Sequence, residues 1–360
     1  MREAIKTKWH IVLIIIMMFF LSVMSWKISL HGISESVRDT GDIITSLDTG
    51  WTVYQRPNLC KADTLATYFV MGEIPSVQVI LGDNRWLFFK SVTDGDSVAD
   101  YEGTNTFSEE EKSDILADAK TVSDELEKRG TGFVILFIPN KEHVYSEYMP
   151  DTYSHCDKSR TDMLVEYLSE NGVNAVSAKE ELLKYHTDYE LYYPHDTHWN
   201  QLGGYIGTAV ALSGIGYDIP KFNDRTYTSS PLKDNYHYGA DVDLARMAGV
   251  RTVFNDDLDY EIDGTVVPDW PEYGNTQNTT FVSHIHNDTA NVQVSILLVG
   301  DSFRSAMIPS LSEEFADVYV VSRENYDSSM LGEINPDYVI AEYVERKAEE
   351  IKEIEKLIYQ

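Results

Sequence analysis

The chain has 360 residues, with 59 acidic against 29 basic and a formal net charge of −30. That length allows one large domain or two small ones with a sizeable core. A surface this acidic repels nucleic acid and argues against it as a partner. The 23 tyrosines and 6 tryptophans fit either ordinary packing or aromatic lining of a sugar-binding groove.

Met1–Lys8 carries Arg2, Lys6 and Lys8 against Glu3, and an uncharged apolar stretch follows from Trp9 to Trp26. A tryptophan at each end and a basic flank predict a single-pass signal-anchor, with residues 1–8 cytoplasmic and the remainder outside. A cleaved signal peptide is the competing reading, although Met24-Ser25-Trp26 is a poor small-residue cleavage site. Lys27–Pro75 reads as a stalk with short ordered pieces, and residues 76–360 as the main domain.

Ser76–Lys90 holds two β-rich runs around Gly82-Asp83-Asn84-Arg85, a hairpin signal. Ser108 and Glu111 form a capping-box pattern, and the apolar stripe Ile115, Leu116, Ala119, Val122, Leu126 stops at Gly130. Gly132–Pro139 predicts a buried strand ending in Asn140-Lys141-Glu142. A helix near Arg160–Asn171, a strand at Val173–Val176 and a helix at Ala178–Tyr185 continue the alternation. Such alternation predicts an α/β fold with a doubly wound, mostly parallel sheet. Glu190–Tyr193 reads as a strand leading into His195–Asn200, with Asn200 capping a helix through Leu212 whose Gly203-Gly204 and Gly207 allow close packing. Tyr217–Ala290 is turn-rich and acidic, and reads as an insertion. Strands are expected at Val318–Val321 and Pro336–Glu342, then a charged helix from about Glu345.

The stretch Val294–Phe315 organises the rest. Ile296–Val299 is an apolar run too short for a helix, Gly300 bounds it, and Ile308–Phe315 reads as a helix start. Strand, Gly-Asp-Ser, helix lifts the Ser302 hydroxyl above the carboxyl edge of a sheet, where turn N–H groups face an oxyanion. A serine nucleophile needs a base. Asp196 and His198, spaced i, i+2, share a face in extended backbone, so the acid can orient the imidazole; an ordinary surface Asp–His pair has the same spacing. His195 is the rival base. Arg304 either helps bind an anion or lies on the surface of the first helical turn, and Asn140 offers an amide as a second oxyanion donor.

His284 and His286 form a His-x-His pair and His237 lies in the insertion, but no third ligand stands at a recognisable spacing, so no metal site is expected. Cys60 and Cys156 are the only cysteines, without a Cys-x-x-Cys pair. In an oxidising compartment they either bridge, tying the amino-terminal segment to the main domain, or stay as free thiols.

An ordered set of motifs carries a family resemblance: Gly82-Asp83-Asn84-Arg85-Trp86-Leu87-Phe88, Pro139-Asn140-Lys141, Asp196-Thr197-His198-Trp199 and Gly300-Asp301-Ser302-Phe303. The serine block is similar to that of SGNH hydrolases, but here the Asp-x-His precedes the serine. That order resembles the SGNH-like O-acetyltransferases of exopolysaccharide modification (alginate O-acetyltransferase, AlgJ/AlgX-like) and the related DHHW proteins, over roughly Ser76–Arg346. The resemblance implies an extracytoplasmic O-acetyltransferase with Ser302, His198 and Asp196 as its triad and a polysaccharide as acceptor. It also implies a membrane-bound O-acyltransferase as acetyl donor. With no glycine fingerprint for a nucleotide and no basic pocket for coenzyme A, no cofactor is expected. A carbohydrate esterase with the same triad, and a non-catalytic anchored polymer-binding or structural protein, are the alternatives.

Overall fold

The computed structural model of the protein describes residues 56–232, 242–265 and 283–359. The expected anchor Trp9–Trp26, its basic flank, much of the stalk and His237 lie outside them. Among the described residues no helix is long and apolar enough to cross a membrane. The chain divides into two units, residues 1–75 with 248–250, and residues 76–247 with 251–360. In the first, Arg56–Met71 forms one helix, longer than the short ordered pieces expected of a stalk.

The second unit is built on a 6-stranded sheet ordered β4-β3-β10-β8-β9-β7. The antiparallel hairpin of β1 (Val79–Leu81) and β2 (Leu87–Phe89) precedes it. In the sheet are β3 (Gly132–Ile138), β4 (Ala175–Ser177), β7 (Ser283–His286), β8 (Val292–Gly300), β9 (Phe315–Ser322) and β10 (Tyr338–Val344). Every neighbouring pair runs parallel except the edge strand β7, which is antiparallel to β9.

The apolar runs are continuous because both faces of the sheet are covered. Alternate residues belong to different cores: Val134, Leu136, Ile138, Ile296, Leu298 and Ile340 pack in one cluster. Phe133, Ile135, Phe137, Leu297, Val299 and Val339 pack in the other. This is the period-two alternation of a strand. Helix α1 (Glu109–Arg129) covers the second face through Ile115, Ala119, Val122 and Leu126. Its Ser108–Glu111 capping box and left-handed Gly130 stop are both present. Helix α2 (Arg160–Glu170) and the 3₁₀ segment Glu345–Leu357 join it there through Leu164, Leu168, Ala348, Ile351 and Ile354. On the first face lies α3 (Gln201–Gly214), through Leu202, Tyr205, Ile206, Ala211 and Leu212.

One expectation needs correction and another gains detail. Glu190–Tyr193 is not a strand: the segment makes a single bridge, Tyr192 to Trp199, because it turns back on itself within a few residues. Residues 217–290, expected as a long insertion, carry regular elements in their described parts. They supply β7, a separate antiparallel pair of β5 (Tyr227–Pro231) and β6 (Leu258–Ile262), and the short helix α4 (Asp243–Met247). The alternation there is too short and too polar to register as a periodic pattern.

Candidate active site

Ser302 stands two residues past the end of β8, where the chain enters a 3₁₀ turn, Ser302–Met307. Each residue before it has a local task. A Cβ at Gly300 would lie 2.1 Å from Glu342 Oε2 on the adjacent strand, so only glycine fits there. Asp301 caps the turn: its Oδ1 accepts from Phe303 N–H at 2.9 Å and its Oδ2 from Val344 N–H at 2.8 Å. Glu342 Oε2 accepts from Asp301 N–H at 2.8 Å. Burial, then the neighbouring Asp301 charge, pushes the Glu342 carboxyl well above its ordinary value. The turn is therefore bolted to β10, while Ser302 itself is exposed.

His198 Nε2 lies 2.7 Å from Ser302 Oγ, and His198 Nδ1 lies 2.6 Å from Asp196 Oδ1. Two loops a hundred residues apart in sequence thus meet at one rim of the sheet. Asp196 is saturated: Oδ1 also accepts from His198 N–H at 3.0 Å, and Oδ2 from Asp243 N–H at 2.9 Å. Burial would raise the Asp196 pKa, but the His198 charge and these hydrogen bonds outweigh it and hold the value at about 2. Burial likewise pulls His198 down, yet the Asp196 carboxylate prevails and its pKa rises above the ordinary 6.5. Trp199 Nε1 donates to Phe303 O at 2.8 Å, tying the histidine loop to the serine turn directly.

The loop rests on Lys141, at the carboxyl end of β3. Its buried ammonium donates to the carbonyls of Tyr193, Pro194 and Asp196 at 3.0, 3.1 and 2.8 Å. Burial lowers its pKa to about 8 against the pull of Glu142, Asp196, Asp243 and Asp257. Trp86 and Phe88 lie beneath the same ammonium, each centroid 5.4 Å away, and Leu87 N–H donates to Pro194 O at 2.9 Å. The Trp-Leu-Phe segment is thus the floor of the His198 loop. Asp243 closes it from the other side, accepting from Thr197 N–H at 2.8 Å and Thr197 Oγ1 at 2.7 Å. Val242, a β-branched residue at φ 46°, sits in the left-handed region that aims Asp243 N–H at Asp196.

The remaining sequence candidates fall elsewhere. His195 donates its own N–H to Asp257 Oδ1 at 2.9 Å, and its Nδ1 lies 2.6 Å from Asp257 Oδ2; His198, not His195, meets the serine. The Asn140 amide is committed to bracing, with Nδ2 donating to Asp100 at 3.3 Å and Oδ1 accepting from Arg346 N–H at 3.1 Å. Arg304 turns back onto its own loop and donates to the carbonyls of Gly300 and Asp301, so it braces the elbow. Cys60 and Cys156 are free thiols, one in each of the two units, and Cys156 Sγ is turned toward Asp100 O at 3.5 Å. His284 and His286 lie on the edge strand β7, beyond β9 from the serine's strand. A cavity of about 1070 Å³ opens beside α2 and α3, but Ser302, His198 and Asp196 do not line it.

Sequence reasoning missed four contributors: Lys141 as a loop support, Asp243, Glu342 and Arg346. The Arg346 guanidinium lies over Phe89 and Phe303 at 5.6 and 5.2 Å, and Phe303 packs 4.9 Å from the His198 ring. The Arg346 Nε is buried, and its side chain makes no hydrogen bond or ion pair among the described residues. Only the Asn140-Lys141 motif carried a signal for any of these in advance.

Comparison with solved structures gives distant likenesses. PatB1 of Bacillus cereus is 15% identical, with 76% of this chain and 96% of that chain covered and a TM-score of 0.49. A DHHW family protein from Eubacterium siraeum is 14% identical over 69% of this chain and 90% of that chain, TM-score 0.48. The O-acetyltransferase domain of Pseudomonas putida AlgJ is 16% identical over 76% and 92%, TM-score 0.45. No curated protein sequence matches. Residues 79–360 match the family described as "SGNH hydrolase-like domain, acetyltransferase AlgX", and the chain belongs to that acetyltransferase family.

Proposed function

We propose that the protein moves acetyl groups onto hydroxyls of an extracytoplasmic polysaccharide through an acetyl-Ser302 intermediate. The observation that carries this is the continuous line Ser302 Oγ, His198, Asp196, with contacts of 2.7 and 2.6 Å, on an exposed serine in an acetyltransferase-family domain. His198 accepts the Ser302 proton as Oγ attacks the acetyl carbonyl. The tetrahedral anion collapses, and the leaving oxygen takes that proton from His198. A sugar hydroxyl then gives its proton to His198 while attacking the acetyl-serine, and Oγ leaves with the proton returned.

The Phe303 N–H is already occupied by Asp301. The Ser302 N–H, first of the turn and without a protein acceptor among the described residues, is the donor we assign to the developing oxyanion. Arg346 adds positive charge at the same rim, where its guanidinium is desolvated by Phe89 and Phe303. The acetyl donor is a membrane-bound O-acyltransferase, and the basic flank followed by Trp9–Trp26 in the sequence supports attachment to the outer face of a membrane.

The test offers the full chain a chromogenic acetyl ester with and without oligosaccharide, and follows products by mass spectrometry. Acetylated oligosaccharide that disappears in Ser302→Ala supports the reading. Acetate as the sole product with every acceptor would make the protein an esterase, and turnover unchanged in Ser302→Ala would remove the serine mechanism.

A further inference from the structure

The His-x-His pair that finds no third ligand in sequence finds one in space. His284 and His286, spaced i, i+2 on β7, place both imidazoles on one face, and β9 brings Asp317 opposite His286. Asp317 Oδ1 lies 2.7 Å from His284 Nε2 and 2.8 Å from His286 Nδ1. The three ligand atoms all lie within 4.8 Å of one another. We propose that His284, His286 and Asp317 form a divalent transition-metal site, independent of the acetyl-transfer chemistry, that clamps the edge strand β7 to β9.

Two imidazoles and one carboxylate, with solvent completing the shell, is a donor set that suits zinc and its neighbours in the first row. The surroundings orient the ligands. Asp288 Oδ1 lies 2.9 Å from His286 Nε2; with the proton held there, Nδ1 is left with a lone pair toward Asp317, the carboxylate–histidine–metal arrangement. The His284 ring lies flat on Tyr319, centroids 4.3 Å apart and 3° from parallel, which fixes its swing. Coordination would replace the imidazole contacts to Asp317 with bonds to the ion, and any displaced N–H proton goes to solvent. Metal–nitrogen bonds of about 2.0–2.1 Å require the ligand atoms to open slightly, which half-exposed side chains allow. The net charge of −30 further favours a cation.

The test is calorimetric titration of the full chain with zinc chloride, alongside the double variant His284→Ala, His286→Ala and the single variant Asp317→Asn. One equivalent should bind to the wild type, with affinity reduced at least 100-fold in the double variant and about 10-fold in Asp317→Asn. Acetyl-ester turnover without added metal should be unchanged in both variants, which shows that they fold. The same stoichiometry and affinity in all three proteins, through Asp196, His198 and Asp243 for example, would overturn the assignment. So would the absence of binding to the wild type.

Discussion

Lys141 Nζ lies 2.8 Å from the carbonyl oxygen of Asp196, so the residue whose carboxylate pairs with His198 is itself held by a buried ammonium at the end of β3. Three backbone carbonyls accept from that one group. Lys141→Met keeps the bulk of the stem but takes away the ammonium that the Asp196 carbonyl accepts from, while Pro194 O keeps Leu87 N–H and Tyr193 O keeps Asp196 N–H. A buried group left unsatisfied costs about 1–3 kcal/mol, so denaturant unfolding should show a loss of at least that size. Acetyl-ester kcat should fall about 10–100-fold as the His198 ring loses its fixed position. Wild-type stability in Lys141→Met would mean that the loop is supported elsewhere.

Packing behind the elbow is the second point of control. A Cβ at Gly204 on α3 would lie 2.3 Å from Ala306 O and 2.7 Å from Ala306 Cβ, in the turn that follows Ser302. Those are fixed atoms, so the helix or the turn must move. Gly204→Ala should destabilise by about 1–3 kcal/mol through overpacking, although alanine is the better helix former. It should also reduce kcat about 100-fold, since a shift of an ångström at reacting atoms has effects of that order. Thermal unfolding and ester turnover on the same preparation check both.

The pH profile reports the histidine. In the proposed mechanism His198 accepts a proton only when neutral, and Asp196 holds its pKa above 6.5 despite burial. The kcat/KM for an acetyl ester should therefore climb with pH through a midpoint above 6.5. Asp196→Asn removes the charge that favours the imidazolium, so the midpoint should move down, and kcat should fall by about 10³–10⁴ as in other triads.

Arg346 acts on the same group with the opposite sign. Its positive charge lowers the His198 pKa, so Arg346→Gln should move the midpoint upward. Kcat/KM should fall about 10–100-fold with loss of the positive charge that packs on Phe303 beside the His198 ring. Reduced turnover with an unmoved profile would place Arg346 in packing against Phe89 and Phe303 rather than in the field of the site.

How much of this was legible in the sequence depends on whether the signal was local. The Ser108–Glu111 capping box, the Gly130 stop, the apolar runs of β3 and β8 and the Asn200 cap are decided by neighbours in the chain, and each lies where its pattern predicts. Ser302, His198 and Asp196 were legible as residue types on suitable turns. Their meeting depends on β8 and β3 flanking β10 in the sheet order, which no local pattern encodes. Asp243 and Asp317 show the limit most clearly, as each comes from a distant segment and gains meaning only beside the residue it meets, Asp196 for one and His286 for the other. Glu190–Tyr193 failed for a different reason: its alternation suits a strand, but its one bridging partner lies within the same loop.

Covalent capture of the intermediate tests the central claim most directly. The wild-type chain is mixed with excess acetyl ester, quenched in acid within the first turnovers, and mapped by peptide mass spectrometry. An acetyl group should be found on the Ser302 hydroxyl, be absent in Ser302→Ala, and accumulate in His198→Ala only far more slowly. An acetyl group on another residue, or efficient turnover with Ser302 never acetylated, would contradict the account.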